Sequence, residues 1–262
     1  NQFAATVWVL LQSSTARDAC LSAVDVLVQH VVDLDGDRYA PARRLLLCCL
    51  WELAHGSPND VRPRLTSERI SSASTFLDVL SCIGTDDAKR VEVRLVAARF
   101  HYYLVEHAEK CDATMHAQAQ QMASKLLDAA SSSEAREHGA WIAAKEARTP
   151  KRKLALAKAG LIEKLVAALR DEPRAATRAL HALYNLSTLN ANQVRTIRCG
   201  FNVLMRHARG SPAGNAATAF ATRILENCRH QPAVASIYYK CELRLKASEL
   251  RKRPRDDEAK AP

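Results

Sequence analysis

The chain has 262 residues, 48% of them hydrophobic but only 5% aromatic, with 8 Gly and 9 Pro. So few breakers, beside many Ala, Leu and Arg, make an all-helical protein the natural reading. Its formal net charge is +10, and its longest apolar run, Leu45 to Trp51, falls far short of the roughly 20 residues that cross a bilayer, so no membrane insertion is expected.

The charge is unevenly placed. Residues 1 to 110 carry 12 Lys+Arg against 14 Asp+Glu, and residues 111 to 262 carry 26 against 14. The basic surface belongs to the second half and favours acidic protein segments or, as a second choice, nucleic acid. The chain opens on Asn1 rather than Met, so an upstream start is expected, and no charged stretch followed by an apolar one opens it as a secretory signal would. Eight cysteines without a C-x-x-C pair read as small buried hydrophobes of an intracellular, cytoplasmic or nuclear protein. They supply no zinc-ligand spacing, and neither a metal nor a cofactor is expected.

Residues 1–17 read as a partial leading helix, from Val7, Leu10 and Leu11. Leu21, Val24, Leu27, Val28 and Val31 then form an apolar stripe on a helix from Asp18 to Val32. The loop Asp33-Leu34-Asp35-Gly36-Asp37 resembles a calcium loop in its alternate aspartates. Its glycine falls fourth instead of sixth, however, and Arg44 stands where a bidentate Glu belongs, which leaves a plain turn. Pro41 opens a helix reaching His55, and Gly56-Ser57-Pro58-Asn59 ends it. Further helices are predicted over Ser67 to Ile83, with Ile70 inward, and over Ala88 to Glu109. Between them Gly84-Thr85-Asp86-Asp87 would supply a C-terminal glycine and an N-cap acid. His107-Ala108-Glu109 matches half of a zinc-deaminase motif, but no P-C-x-x-C follows it. Helices over Thr114 to Ala130 and Glu134 to Ala147 complete this part.

From residue 150 a repeat is visible. Lys158-Ala159-Gly160-Leu161-Ile162 recurs 40 residues later as Arg198-Cys199-Gly200-Phe201-Asn202. Each glycine is expected to separate a short helix from the next, so that the unit reads as Lys151 to Ala159, Leu161 to Arg170 and Pro173 to Leu189. The longer helices begin near 41, 88, 134, 173 and 213, a period near 40. Val234, Ile237, Tyr238, Cys241 and Leu245 give a last amphipathic helix. Residues 248–262 then form a charged tail expected to be disordered, in which Arg251, Lys252, Arg253 and Arg255 resemble a nuclear-import signal.

The third helix of the unit carries Ala182-Leu183-Tyr184-Asn185-Leu186-Ser187, echoed by Ile224-Leu225-Glu226-Asn227-Cys228 and by Leu50-Trp51-Glu52-Leu53-Ala54-His55. This pattern resembles the armadillo repeat. The resemblance implies an all-α, right-handed α–α superhelix of about five repeats over residues 18–247, acting as a non-enzymatic scaffold or adaptor. In armadillo proteins of the importin and catenin type, the asparagine of this pattern bonds an extended peptide and a tryptophan four residues earlier packs on it. That role falls to Asn185 and Asn227, without their tryptophans. Two uses are open to these amides: holding a strand-like partner, or tying helix ends to neighbouring loops.

The expected partner-binding residues are His55, Lys145, His181, Asn185, Arg223 and Asn227, on the third helices that would line a concave face. Lys145, Arg148, Lys151, Arg152 and Lys153 form a basic run between two helices. The expected partner is an acidic or extended protein segment. Gly200 to Arg206, with Ala179 to Leu183, is also similar to armadillo-type nucleotide-exchange factors of DnaK-type chaperones, and an RNA-associated basic solenoid is a further alternative. Armadillo stacks also serve cytoskeletal and flagellar assemblies and plant U-box ligases, although no U-box is present in these residues. No phosphate-loop, nucleophile-elbow, dinucleotide or H-E-x-x-H motif occurs.

Overall fold

The computed structural model describes residues 2–11, 20–34, 36–67, 75–86, 89–108, 112–128, 132–210 and 214–251. Every regular element among them is helical: α1 (Gln2–Leu10), α2 (Val24–Asp33), α3 (Ala40–Gly56), α4 (Pro58–Ser67), α5 (Phe76–Thr85), α6 (Val91–His107), α7 (Ala113–Asp128), α8 (Ser133–Glu146), α9 (Pro150–Lys158), α10 (Leu161–Ala168), α11 (Pro173–Ser187), α12 (Asn190–Ala208), α13 (Asn215–Arg229) and α14 (Pro232–Arg251). The chain divides into two compact units, residues 1–142 and 143–262.

In the first unit the helices bury Leu46, Leu50, Leu53, Phe76, Leu77, Leu80, Phe100 and Leu104 together, each such side chain contributing about 1.5–3 kcal/mol. Phe76 meets Phe100 edge-on at 5.8 Å, and Trp51 packs on Phe100 at 5.7 Å. The predicted helix from Ser67 to Ile83 is corrected here. Ser67 ends α4, residues 68–74 with Ile70 lie outside the described residues, and the next helix begins at Phe76. Thr75 starts it by a reciprocal capping box: its hydroxyl accepts from the Asp78 N–H, and the Asp78 carboxylate accepts from the Thr75 N–H at 2.8 Å. α3 ends at Gly56 as expected, and Pro58 at once opens α4, because a proline costs little in the first helical turn. Gly84, expected to end a helix, lies buried inside α5.

The second unit begins its first three-helix repeat at Thr149, whose hydroxyl caps α9 by accepting the Arg152 N–H. Gly160 then separates α9 from α10 in the left-handed conformation, φ +80°, as predicted. Gly200 does not repeat this. It lies buried within the continuous α12, where a Cβ would come within 3.0 Å of Val166 Cγ2. The same residue type therefore meets two demands: Gly160 permits a turn, and Gly200 permits close helix packing. α12 merges the two short helices of the unit into one of 19 residues, and α13 takes the place of α11 in the next repeat.

One kind of contact recurs throughout both units. The last carbonyls of a helix have no intrahelical partner, and here a side chain from another helix donates to them. Arg43 Nε reaches the Val31 carbonyl at the end of α2 at 2.8 Å. Pro58 has no N–H to offer the Ala54 carbonyl, which instead accepts from Tyr103 Oη at 3.2 Å and Arg62 Nε at 3.3 Å. His207 Nε2 donates to the Leu169 carbonyl at 2.9 Å. Asn192 Nδ2 and Gln193 Nε2 close the end of α11 through Leu186 at 3.1 Å and Ser187 at 2.8 Å.

His101 is fully buried in the first unit. Gln118 Nε2 donates to Asp78 Oδ1 at 2.7 Å, which turns its oxygen toward His101 Nε2 at 3.1 Å and makes that nitrogen the donor. Nδ1 is left buried without a hydrogen-bond partner, and burial pushes the pKa down to about 4, against the opposing effects of Gln118 and Asp78.

Two outcomes follow for stability. Gly160→Ala forces an L-residue into the left-handed region and should cost about 1–2 kcal/mol. Gly200→Ala, where a helix-propensity gain of up to about 1 kcal/mol opposes the push on Val166, should cost clearly less; urea melts of the two variants decide this. For His101, whose folded pKa lies below the unfolded value near 6.5, the unfolded chain takes up the proton first. Stability is therefore complete above about pH 6.5, falls as pH drops toward 4 and levels off below it, a loss on the order of 3 kcal/mol. Urea melts through this range should show a shallower fall for His101→Phe, with the depressed His138 supplying part of the slope that remains.

Candidate functional site

The expected binding residues fall in both units. His55 is in the first, while Lys145, His181, Asn185, Arg223 and Asn227 are in the second. His55, exposed on the last turn of α3, stacks on Tyr103 at 5.6 Å. Tyr103 is also flanked by Trp51 at 5.5 Å and His107 at 4.8 Å, with the Arg62 guanidinium 4.9 Å above its ring and Arg62 Nη2 donating to its hydroxyl at 2.6 Å. Trp51 is thus spent on intramolecular aromatic packing.

In the second unit the helical period places three residues of α11 on one face: Arg178, His181 and Asn185. Their counterparts on α13, each 42 positions later, are Phe220, Arg223 and Asn227. Lys145, near the end of α8, stands 40 positions before Asn185. The face is built by ring packing between helices. His181 lies flat on Phe220, with centroids 5.0 Å apart and planes 13° apart, and Tyr184 packs on the same Phe220 at 5.8 Å. Burial in this stack lowers the His181 pKa, and the positive charges of Arg178 and then Lys145 lower it further. The face thus sets two cations, Arg178 and Lys145, within electrostatic reach of the His181–Phe220 pair.

Asn185 has a second task. Arg148 turns its N–H to the Glu146 carbonyl at 2.8 Å, so it does not close the helical bond to Ala144. Asn185 Nδ2 donates to that Ala144 carbonyl at 2.9 Å, tying the end of α8 to α11. Its amide oxygen and second hydrogen remain for other bonds. Asn227 sits half-buried on the wall of an open hollow with Tyr184, Thr188 and Gln193.

The basic run Lys145, Arg148, Lys151, Arg152 and Lys153 spans the end of α8 and the start of α9. Lys153 leaves it to donate to Thr188 Oγ1 at 2.6 Å, whereas Lys151 and Arg148 are exposed. Of the import-like cluster, Arg251 ends α14 and Lys252, Arg253 and Arg255 lie outside the described residues. The cysteines divide: Cys20, Cys49 and Cys228 are buried as expected, but Cys82 and Cys199 are exposed, and Cys111 lies outside the described residues. Burial pushes the Cys49 and Cys228 thiols up to about 12. Among the described residues no helix is long and apolar enough to cross a membrane, and no group of three His, Cys, Asp or Glu side chains is placed to hold a metal ion.

Sequence reasoning missed Arg178, Tyr184 and Phe220. The spacing of Arg178 from His181 and of Phe220 from Arg223 is that of one helical face, a signal legible once α11 and α13 are aligned. The stacking of His181 on Phe220 crosses two helices and leaves no local trace.

No protein-family model matches the sequence, and no curated protein matches it either. Among solved structures the chain is similar to a designed armadillo repeat protein, with a TM-score of 0.62 and 18% identity over 89% of this chain and 94% of that one. It is also similar to two engineered proteins from the Northeast Structural Genomics Consortium. One has a TM-score of 0.58 and 20% identity over 78% of each chain; the other has a TM-score of 0.58 and 18% identity over 86% of this chain and 89% of that one. At such identities the likeness speaks for the fold, which is all-α and armadillo-like.

If Arg178 helps to hold His181 neutral, Arg178→Ala should move the ring's NMR titration midpoint upward toward the ordinary histidine value. An unmoved midpoint would mean that burial on Phe220 acts alone.

Proposed function

We propose that the second unit is a non-enzymatic protein-interaction module that holds an extended, acidic segment of a partner along the face of α8, α11 and α13. Armadillo-like stacks generally serve as interaction scaffolds, and the observation that carries this reading is the row Lys145, Arg178, His181, Asn185, Arg223 and Asn227. It repeats a cation or an amide at the helical-repeat distance. Amides bond the backbone of a strand-like ligand, and cations meet its carboxylates. The bulk charge agrees, since residues 143–262 carry 24 Lys+Arg against 10 Asp+Glu.

Each part has a physical role in this reading. Arg178 and Arg223, both exposed, steer and hold carboxylates at a cost sensitive to salt. The His181–Phe220 stack is a flat, preformed platform for the partner's aliphatic side chains. Asn185 contributes its free amide oxygen while its Nδ2 keeps α8 and α11 in register. The module acts as a scaffold or adaptor inside the cell, where its cysteines stay reduced.

The double charge reversal Arg178→Glu with Arg223→Glu should weaken binding of acidic peptides by about tenfold or more, leaving helicity and the melting curve close to wild type. Fluorescence polarisation with a mixture of Asp- and Glu-rich labelled peptides measures this, and raised salt should mimic the variant. Unchanged affinity in the variant, or tighter binding of single-stranded RNA than of any acidic peptide, would overturn the reading.

A further inference from the structure

The half-buried imidazole of His181 is placed by ring stacking and not by hydrogen bonds. Its face lies on Phe220 with centroids 5.0 Å apart, and among the described residues neither ring nitrogen has a hydrogen-bond partner. The buried histidines differ. His101 meets Gln118 at 3.1 Å, His138 the Glu134 carbonyl at 2.8 Å and His207 the Leu169 carbonyl at 2.9 Å. Each of those rings is fixed by an atom of this chain, whereas His181 keeps a donor and an acceptor for something outside it.

The charges around the ring do not supply a partner. Arg178, one turn earlier on α11, and Lys145 on α8 both act on it, and both are positive. Glu146, beside Lys145 in α8, is buried. From α13 the uncharged Phe220 meets the ring, with Arg223 a further cation on the same face and Glu226 lining the hollow with Tyr184 and Asn227. On the other flanks of α11, Glu163 of α10 pairs with Arg195 of α12, and Lys153 of α9 bonds Thr188. Among the described residues no carboxylate is thus among the charges that act on the ring. A proton on His181 in the free protein makes a third positive charge against Arg178 and Lys145. A carboxylate at the ring edge reverses that balance, because it accepts the ring N–H, offsets both cations and favours the imidazolium.

We propose that an Asp or Glu side chain of the partner docks on the ring edge of His181 beside Arg178 and Lys145, and that His181 takes up a proton from solvent as it docks. This rests on the preceding reading and adds to it a seat for one carboxylate and a dependence on pH. Coupling is reciprocal, so the proton tightens the ligand by the factor by which the ligand tightens the proton. The free ring titrates below the ordinary 6.5, and the occupied ring titrates higher. Above both values the ring is neutral with or without ligand and affinity is flat; between them affinity rises as pH falls; below both it levels off. The partner's carboxylates keep their charge down to about pH 5, so the rise precedes their own protonation.

The test uses the full chain and a mixture of Asp- and Glu-rich peptides carrying a pH-insensitive rhodamine label, at fixed ionic strength. Fluorescence polarisation should show affinity rising about tenfold from about pH 8 to about pH 5.5. His181→Gln, polar but unable to titrate, should lose most of that rise. His181→Phe, which keeps a ring on Phe220, should do the same and decides alone if the first variant fails to fold. The other histidines titrate in wild type and variants alike, so a rise that survives in the folded variants overturns the proposal, as does a wild-type affinity that does not change with pH. If binding at about pH 8 is then still lost on Arg178→Glu with Arg223→Glu, only the proton linkage falls and the partner-binding reading stands; if no acidic peptide binds the wild-type protein at either pH, both fall.

Discussion

A helix leaves its last carbonyls unbonded, and a protein made of many short helices has many such ends to satisfy. Here this is met by donors borrowed from neighbouring helices: Arg43 for Val31, Tyr103 and Arg62 for Ala54, Asn185 for Ala144, His207 for Leu169, and Asn192 with Gln193 for the end of α11. Apolar burial drives the helices together but is tolerant of sliding. A hydrogen bond to a carbonyl at a helix end is not, because an unmet buried carbonyl costs about 1–3 kcal/mol. These contacts therefore set the register of one helix on the next.

The candidate site inherits its geometry from the same device. Asn185 holds α8 against α11 through Ala144 and thereby positions Lys145 relative to His181. The ring stack of His181 on Phe220 does the corresponding work between α11 and α13. Gln193 ties the entry of α12 to the end of α11. Side chains that hold the repeats together thus also place polar groups on the candidate face. An amide serves both purposes because it has two donor hydrogens and an acceptor, of which one bond to a carbonyl consumes only one.

Much of the helical arrangement was legible before the fold. The apolar stripes, the proline starts at 41 and 173 and the Gly160 turn lie where their local chemistry places them. The misreadings have local causes too. Pro58 both follows the end of α3 and opens α4, of which only the first is visible locally, and the capping pair Thr75 and Asp78 starts α5 inside a stretch that reads as continuous helix. Gly200 was read by analogy with Gly160, although a glycine can be selected for the closeness of a neighbouring helix as well as for its own backbone angle, and only the contact with Val166 distinguishes them. For the site, Asn185 and Asn227 stood out by pattern and Lys145, His181 and Arg223 by position. Arg178, Phe220 and Tyr184 did not, because their significance lies in what faces them from another helix.

The amino-acid sequence by itself determined that this chain is helical, that it repeats near every 40 residues, and that its positive charge gathers in the second half. Those properties follow from propensity, periodicity and composition, each of which acts over one or two helical turns or over the chain as a whole. Tertiary structure alone decided which ring stacks on which, whose carbonyl each buried donor satisfies, and that the charges acting on His181 are both positive. Such pairings join residues six to forty-nine positions apart. Their energies depend on distance and direction between groups that only packing brings together.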